Sequence, residues 1–512
     1  MLNKNSRFRN IVYSSTFGVI EQFISYFSAF LYRTFFLMIL TKNYLGISGL
    51  FTNVLQIFSL AELGVGSVIS YHMYKPIKEN NIKKCAALLN FYKTVYRFLF
   101  ILIIILGLIF YPFLGEIIAD SSEIPSDVSL NMIYWMFVFQ SASTYLCVYS
   151  QSLLNADQRG YIVSFANSIY MLISNILKII ILFLSNDYST SLFFGIIINI
   201  VYNVILHFFV KKHYKDIFSK REQLTSEEKI SIFKDSMGLL CHRIGYTIMN
   251  STDSIILSKY IGISTLGLYS NYSLITTALD TTLNKLLGSF VSSIGNMSID
   301  LSKDELYKTY KNFFFLNLWI SSFCTICLFV LINPFIELWL DKSYLLGYPI
   351  VIIISLNLFI NSSRIINNAY VNATGLFIKD RLRPLIQAIL NLIISIALVK
   401  SLDISGVFIG TILSTLLTCW WREPIIMYKY IFERNLFSYF IYYIKWTLLT
   451  ISVAGIVYSL SSFFSINLFG FTMKMITCLF FTNLIYFIVF RKSSEFVFFC
   501  EFFKRMIERK SK

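Results

Sequence analysis

Residues 44–53 read YLGISGLFTN, and residues 260–271 resemble them as YIGISTLGLYSN, which places Gly46 opposite Gly262. Ordered matches at a nearly fixed offset indicate an internal duplication. Three further pairs follow in the same order and at nearly the same separation: Asn155 with Asn372, Asn175 with Asn391, and Gly195 with Gly410. The chain is therefore predicted to consist of two related halves.

The amino-acid composition indicates that these halves lie in a membrane. Of the 512 residues, 56% are hydrophobic and only 14% are charged, which does not fit a soluble globular protein. About 20 apolar residues cross a bilayer as one helix, so the length accommodates many spans joined by short connectors. The sequence predicts a membrane protein in which little chain remains for soluble chemistry.

Apolar windows separated by Gly, Pro, Asn and charged residues predict about fourteen membrane-spanning helices. The predicted spans are 11–40, 45–70, 86–114, 128–153, 160–185, 190–210, 236–260, 265–292, 311–338, 348–371, 384–400, 404–426, 436–460 and 468–490. The longest polar stretch between them, 211–235, falls after the sixth span and is interpreted as a linker.

The positions of the cations support this division. If both termini are cytoplasmic, 31 of the 44 Lys and Arg residues fall in inner connectors and tails, and four fall in outer loops. Cytoplasmic loops of membrane proteins carry an excess of cations. The net charge of +16 is thus explained by topology and by attraction to lipid headgroups, and no nucleic-acid partner is expected.

The predicted fold class is an all-α polytopic membrane protein with two parallel six-helix repeats and two C-terminal helices. Six is an even number, so both repeats enter the membrane from the same side, as in transporters built from parallel repeats. The predicted parts are an N-terminal lobe at 1–210, a cytoplasmic linker at 211–235, a C-terminal lobe at 236–432, two appended helices at 433–490 and a cytoplasmic amphipathic tail at 491–512.

The stretch 44–77, YLGISGLFTNVLQIFSLAELGVGSVISYHMYKPI, resembles the polysaccharide flippases of the multidrug/oligosaccharidyl-lipid/polysaccharide exporter superfamily. Its most specific part is LAELGVGSVI followed by MYKP, and the likeness in architecture extends to about residue 435. The resemblance implies a V-shaped cavity between two lobes and exchange driven by ions or by the membrane potential. It also implies an undecaprenyl-diphosphate-linked O-antigen or capsule repeat unit as substrate.

Charged residues inside predicted spans identify the candidate substrate site. An ionised group within the bilayer costs several kcal/mol unless it faces a wet cavity or a partner. Nine cations and four acids lie in the interior of the spans, away from their ends, and this excess suits a translocated diphosphate. The predicted substrate-binding residues are Arg33, Arg243, Asn250, Lys285, Asn361 and Arg364, with the asparagines placed to bind sugar hydroxyls.

The four acids within the spans are the candidates for ion coupling: Glu21, Glu62, Asp253 and Asp280. Each could carry H⁺ or bind Na⁺ during transport. The four histidines are scattered and form no metal-ligand pattern, and no cofactor is expected.

Several of these residues have a structural interpretation as well. Glu62 lies beside Gly64 and Gly66 and could brace a close helix contact, and polar rows can hold helices together. Lys445 and Lys474 belong to the appended spans, where lipid contact or pairing between helices explains them equally well.

The predicted function is a flippase, not an enzyme, in the bacterial cytoplasmic membrane, with both termini cytoplasmic. Its expected partners are the lipid-linked oligosaccharide, the bilayer, and a glycan polymerase with assembly proteins. The alternatives are a drug or metabolite antiporter, a lipid II flippase, a membrane glycan polymerase or ligase, and a scaffold. The longest outer loop, 115–127, contains acids but no His, Lys or Arg, which argues against the polymerase or ligase.

Overall fold

The computed structural model describes the backbone of residues 4–62 and 65–510, with all side chains in these ranges except those of 4–12, 15, 61, 65, 67, 121, 235, 237–243, 246, 250, 292, 377–378, 502–503 and 505–510. This part of the chain is helical and contains no β-strand. Its α-helices are α1 (Lys4–Ile39), α2 (Lys42–Phe58), α3 (Val65–Lys78), α4 (Ile82–Phe110), α5 (Leu130–Thr144), α6 (Gln151–Ala156), α7 (Gly160–Ser185), α8 (Tyr188–His213), α9 (Lys215–Phe218), α10 (Ser226–Tyr260), α11 (Ile263–Gly288), α12 (Val291–Asp300), α13 (Lys303–Trp339), α14 (Tyr348–Ser362), α15 (Ile365–Ala373), α16 (Arg383–Met427), α17 (Phe437–Ser461), α18 (Leu468–Phe490) and α19 (Ser494–Lys510).

These helices confirm the predicted all-α membrane class. Within the described ranges, eight helical segments are long and apolar enough to cross a bilayer. One of them, Arg383–Phe432, contains the two predicted spans 384–400 and 404–426, which meet at a kink where Asp403 has φ 48° and ψ −136°. The predicted spans 45–70 and 128–153 are divided into shorter helices, and 11–40, 236–260 and 265–292 lie in the long helices α1, α10 and α11, which are not among the eight. The total of about fourteen spans stays a prediction.

Three predicted spans contain a helix break that the sequence prediction did not include, and one of the three, 348–371, still lies in a single segment long enough to cross a bilayer, Tyr348–Ala373. The span 45–70 breaks between α2 and α3, 128–153 between α5 and α6, and 348–371 between α14 and α15. The last two are the fourth span of each half, and each is followed by one of the paired asparagines, Asn155 or Asn372. The helix breaks therefore repeat as the sequence motifs do.

Hydroxyl side chains explain why the helices end there. Ser143 and Thr144 donate to carbonyls three residues earlier at the end of α5, and Ser362 and Ser363 do the same at the end of α14. A serine or threonine that bonds back to the preceding turn competes with the helical hydrogen-bond ladder and bends it. The apolarity of these segments is unaffected, so hydropathy alone does not detect the breaks.

The chain forms two compact units, Met1–Gly267 and Leu268–Lys512. In the first unit α1 packs along α7, α7 on α8, and α2 on α10. The packing of α10 on α2 and α3 places residues 226–260 in this unit. The predicted lobes were defined from the sequence repeat, which reflects duplication and not packing. Their boundaries stay a prediction.

The linker 211–235 is fastened to α4 in the first unit. After α9 the chain runs without regular structure to Thr225, which begins α10 with a capping box that it forms with Glu228. The Asn90 side-chain amide donates to the carbonyls of Lys220 and Glu222, at 3.1 Å each. Lys84 pairs with Glu228, and its hydrogen bond lowers the pKa of that carboxyl.

In the second unit α13 contacts α14, α17 and α18. The two arms of α16 fold back on each other beyond Asp403, and Asn391 donates to Thr411 across them at 3.0 Å. The appended helices α17 and α18 are joined to α13 by polar bonds: Trp446 Nε1 donates to Ser322 Oγ at 2.8 Å, and Trp319 Nε1 donates to Asn483 Oδ1 at 2.9 Å. The appended pair is thus an integral part of this unit.

Candidate substrate and ion sites

Glu21 lies on α1, where this helix packs against α7 in the first unit. Its Oε1 atom accepts a hydrogen bond of 2.9 Å from the Asn167 amide, and Asn167 Oδ1 accepts one from the Tyr202 hydroxyl. The Tyr202 ring stacks on Tyr170 with 4.4 Å between centroids. The cluster thus contains a carboxylate, which can bind a proton, and neutral side-chain oxygens. Carboxylate and neutral oxygens are also the usual ligands of hard cations.

Two asparagines extend this cluster along α8. Tyr170 donates to Asn199 Oδ1 at 3.3 Å, and Asn203 Nδ2 donates to the same oxygen at 3.1 Å. Both asparagines are buried. Buried amides are costly unless they are hydrogen-bonded, so these contacts hold the wall of the Glu21 cluster in place.

Glu62 lies in the short 3₁₀ turn between α2 and α3. Its Oε1 accepts a 2.8 Å hydrogen bond from the Tyr96 hydroxyl, which in turn accepts one of 2.8 Å from Tyr92. A methyl group at Gly66 would stand only 2.7 Å from the Tyr92 hydroxyl, so the glycine leaves room for this chain of hydroxyls. The geometry suits a brace across the helix break, and it also links the carboxylate to two exchangeable protons.

Arg33 lies near the end of α1, next to Tyr32. The Tyr32 hydroxyl bonds to Ser191 on α8, and the Lys178 ammonium on α7 lies 5.9 Å from the centre of the Tyr32 ring. Arg33 itself interacts electrostatically with Tyr32. Two cations on different helices, Arg33 on α1 and Lys178 on α7, therefore both interact with Tyr32.

In the second unit, Arg364 lies at the break between α14 and α15 and is 6% exposed. Its Nε donates to Glu423 Oε2 at 3.0 Å, and its Nη2 donates to Glu423 Oε1. Arg383 Nη1 approaches the same Oε1 at 3.0 Å. Arg383 and Arg422 both contact Asp380. The result is a network of three arginines and two acids in which Glu423 is fully buried.

Glu423 was absent from the residues predicted from sequence. It belongs to WWREP at the end of the predicted span 404–426, between Arg422 and Pro424. The rule that singled out the other charges, an ionised group within an apolar window, applies to it as well. Its pairing with Arg364, 59 residues earlier, depends on tertiary structure.

Asn361 joins the same region. It donates to Asn357 Oδ1 at 2.8 Å, and its own Oδ1 lies 3.4 Å from Arg364 Nη1. Asn357, Asn361 and Arg364 therefore lie together, and two of them, Asn361 and Arg364, are predicted substrate residues. Both have protein partners in this conformation.

The remaining predicted residues lie on α10 and α11. Asp253 is buried on α10 in the first unit. In the second unit Asp280 is partly exposed, its backbone carbonyl accepts a 2.9 Å bond from Asn284, and Lys285 is exposed. The side chains of Arg243 and Asn250 lie outside the described residues.

The two lysines of the appended helices differ in their surroundings. Lys474 is 6% exposed and donates to the carbonyl of Ser461, the last residue of α17, at 2.6 Å. A cation at a helix C-terminus satisfies free carbonyls and complements the helix dipole. Lys445 is exposed on α17.

In the part of the chain that the structure describes, no three His, Cys, Asp or Glu side chains come together as a metal site.

Residues 9–291 match the polysaccharide biosynthesis protein family. The chain belongs to this family. The match covers more than half of the 512 residues. No curated protein matches the chain.

Solved structures with the same fold are membrane transporters. The lipid II flippase MurJ in an inward closed conformation has a TM-score of 0.65 at 16% identity, covering 94% of this chain and 99% of that one. An inward-facing multidrug resistance MATE family transporter of the MOP superfamily has a TM-score of 0.61 at 12% identity, covering 77% and 91%. A single-residue mutant of the Vibrio cholerae MATE transporter VcmN has a TM-score of 0.54 at 11% identity, covering 83% and 99%.

Family and fold agree with the resemblance carried by residues 44–77. The protein is a multi-pass membrane protein of the polysaccharide biosynthesis family with the fold of these transporters.

Proposed function

We propose that this protein is a flippase that moves undecaprenyl-diphosphate-linked oligosaccharide repeat units across the bacterial cytoplasmic membrane by alternating access. The observation that carries the proposal is an exporter fold in a polysaccharide biosynthesis family with cations among its membrane helices, namely Arg33, Lys178 and Arg364. A diphosphate crossing a low-dielectric region needs such partners. The units are of the O-antigen or capsule type.

Arg364 would contact the diphosphate by exchanging partners. Glu423 accepts hydrogen bonds from Arg364 in this conformation and also lies 3.0 Å from Arg383. If Arg364 turned toward a phosphate, Arg383 would still neutralise Glu423. A buried charge left without a partner is strongly unfavourable, so this second arginine lowers the cost of the exchange.

The other substrate contacts follow from residue type. Arg33, Arg243 and Lys285 would bind diphosphate oxygens during different stages of translocation. Asn250 and Asn361 would hydrogen-bond to sugar hydroxyls, which amides can do without selecting one sugar.

Transport is proposed to be coupled to H⁺ or Na⁺. The support is strongest for Glu21, whose carboxylate faces the Asn167 amide beside the stacked tyrosines. Glu62 is the second candidate because its hydroxyl chain connects it to Tyr96 and Tyr92. Asp253 and Asp280 are proposed as further coupling residues on the basis of their positions within spans.

A lipid II flippase is the second candidate function. The lipid II flippase MurJ shares its fold with 94% of this chain. A drug or metabolite antiporter is less well supported, because acids would be expected to exceed cations within its spans. A glycan polymerase or ligase would need catalytic groups outside the membrane, which the loop 115–127 does not offer.

The proposed setting is the cytoplasmic membrane with both termini on the inner side, as the cation count of the loops predicts. There the protein would receive its lipid-linked unit from the inner leaflet. A glycan polymerase and its assembly proteins would act on the exported unit.

Deletion of the gene with analysis of lipid-linked intermediates tests the function. We expect undecaprenyl-linked oligosaccharide to accumulate on the inner face of the membrane, and a plasmid copy to restore export. Accumulation of lipid II would instead select the second candidate. Continued export of single, unpolymerised units would point to a polymerase and contradict both flippase assignments.

A further inference from the structure

Lys178 occupies a notch on the neighbouring helix of the first unit. It lies on α7 opposite Gly195 of α8, and a methyl group at Gly195 would overlap the Lys178 Cε atom. The same added atom would stand 3.2 Å from the ammonium nitrogen. Because Gly195 has no side chain, the aliphatic part of the Lys178 side chain can pass across α8 at this position.

The second half of the chain shows that helix packing does not require a lysine here. Gly410, the repeat partner of Gly195, lies against Ser395 in the corresponding helix pair. Ser395 is fully buried and donates to the Val407 carbonyl at 3.1 Å. A small hydroxyl residue fills the notch in one half and a long cation fills it in the other. Because an ionised lysine among membrane helices is costly, this difference between the halves indicates a function.

The Lys178 ammonium lies 5.9 Å from the centre of the Tyr32 ring, near the C-terminal ends of α1 and α7. Tyr32 bonds to Ser191, and Ser191 Oγ donates to the Lys178 carbonyl at 3.2 Å, so α1, α7 and α8 meet at this point. Arg33 lies six residues before the end of α1, and Lys178 lies seven before the end of α7. At 1.5 Å per residue both stand about 10 Å from those helix ends.

The same helix separates this point from the coupling cluster. Glu21 precedes Arg33 by twelve residues on α1, a rise of about 18 Å. An anion at Arg33 and a cation at Glu21 would therefore occupy different levels of the unit and would not compete for one position.

We propose that Lys178 and Arg33, with Tyr32 between them, form an anion site for the diphosphate of a prenyl-linked substrate on the outer side of the first unit. The site rests on the proposed function for its substrate class and on the predicted topology for the side of the membrane. An ammonium and a guanidinium together match the two negative charges of a diphosphate that joins a prenyl chain to a sugar. The substrate would leave from this anion site when the outer side of the protein opens.

The experiment measures binding of farnesyl diphosphate, a short prenyl diphosphate, to the purified full-length protein in detergent. The variants are Lys178→Met, Lys178→Ser, which copies the other half of the chain, and Arg33→Met. Lys445→Met is the control, because Lys445 is an exposed lysine on α17. We expect Kd to rise at least tenfold in the three site variants and to change less than twofold in the control.

Thermal unfolding of the same samples establishes that each variant is folded. If Lys178→Met does not fold, Lys178→Ser provides the binding test in its place. A rise in Kd of less than tenfold in a folded Lys178 variant would overturn the site, as would absence of binding to the wild type.

A parallel translocation assay distinguishes the failure of the site from the failure of the proposed function. If the wild type binds farnesyl diphosphate through Lys178 but does not move lipid-linked oligosaccharide, the proposed function is wrong and the site stands. If the wild type moves the oligosaccharide and Lys178→Ser moves it equally well, the site is wrong and the function stands.

Discussion

Gly46 of α2 packs against the backbone carbonyl of Ile263 at the start of α11, so the two copies of the repeated motif touch each other. A methyl group at Gly46 would overlap that oxygen, and one at Gly267 would overlap the carbonyl of Lys42. Gly262, with φ +133°, leaves space for the Glu123 carboxylate, which accepts a 3.0 Å bond from the Ser264 amide. Gly46 and Gly267 thus allow close backbone approach, and Gly262 makes room for a side-chain carboxylate.

Substitution of Gly46 by alanine should destabilise the protein. The methyl group has to displace helix backbone, and such overpacking costs about 1–3 kcal/mol. Gly18→Ala on α1 is the matched control, because no atom lies within 4 Å of the position its methyl group would take. Alanine favours helices over glycine, so the control should unfold at or above the wild-type temperature. Equal unfolding temperatures for the two variants would contradict the close contact.

The Arg364–Glu423 pair should behave as one member of a network. Glu423→Gln leaves Arg364 and Arg383 without their shared partner, and loss of a buried partner costs about 3–5 kcal/mol. Arg364→Met should cost less, because Glu423 keeps Arg383. The double variant should lose less stability than the sum of the two single losses, as coupled sites do. A double-mutant cycle by denaturant unfolding in detergent measures this coupling, and strict additivity would be inconsistent with the pair.

Glu21→Gln should make the transport rate independent of the ion gradient that drives it. The amide keeps a polar group beside Asn167 but can neither bind a proton nor hold a cation's charge. We expect flux through the variant in proteoliposomes to become insensitive to imposed H⁺ and Na⁺ gradients. Glu116→Gln, which changes an exposed acid in the predicted outer loop, is the control and should retain the wild-type response. Unchanged gradient dependence in Glu21→Gln would remove Glu21 from the coupling mechanism.

The contact between Lys84 and Glu228 should give a small, pH-dependent contribution to stability. Because Lys84 lowers the folded-state pKa of Glu228, the contribution is present above the unfolded pKa of a glutamate and is lost as the pH falls through the folded value. The two side chains are 32% and 41% exposed, so solvent screening limits the effect to at most about 1 kcal/mol.

Glu228→Gln retains the capping box while removing the charge, which isolates this contact. The wild type should unfold at a slightly higher temperature than the variant at pH 7, and the difference should vanish near pH 3. A difference that grows as the pH falls would have the wrong sign for a lowered pKa.

Much of the architecture is encoded in local sequence. The predicted span 160–185 coincides with α7, and 468–490 coincides with α18, because helix length in a bilayer follows from apolarity alone. The turn between 384–400 and 404–426 occurs at Asp403, where both apolar windows end.

The parts that sequence reasoning missed depend on competing or distant bonds. The break at Ser143 and Thr144 arises from hydroxyls that replace ladder bonds without changing hydropathy. Arg364 was singled out from the sequence because it is a charged residue within an apolar span. Its partner Glu423 comes from another span, and only packing brings the two together.

Translocation by the purified protein is the most direct test of the flippase assignment. Proteoliposomes would contain undecaprenyl-diphosphate-linked oligosaccharide with a fluorescent sugar, and an impermeant quencher would report the fraction in the outer leaflet over time. We predict that wild-type protein moves the labelled lipid between leaflets in minutes, faster with an ion gradient, and that Lys178→Ser slows this movement at least tenfold. Movement no faster than in protein-free liposomes, with folded wild-type protein and an imposed gradient, would contradict the assignment.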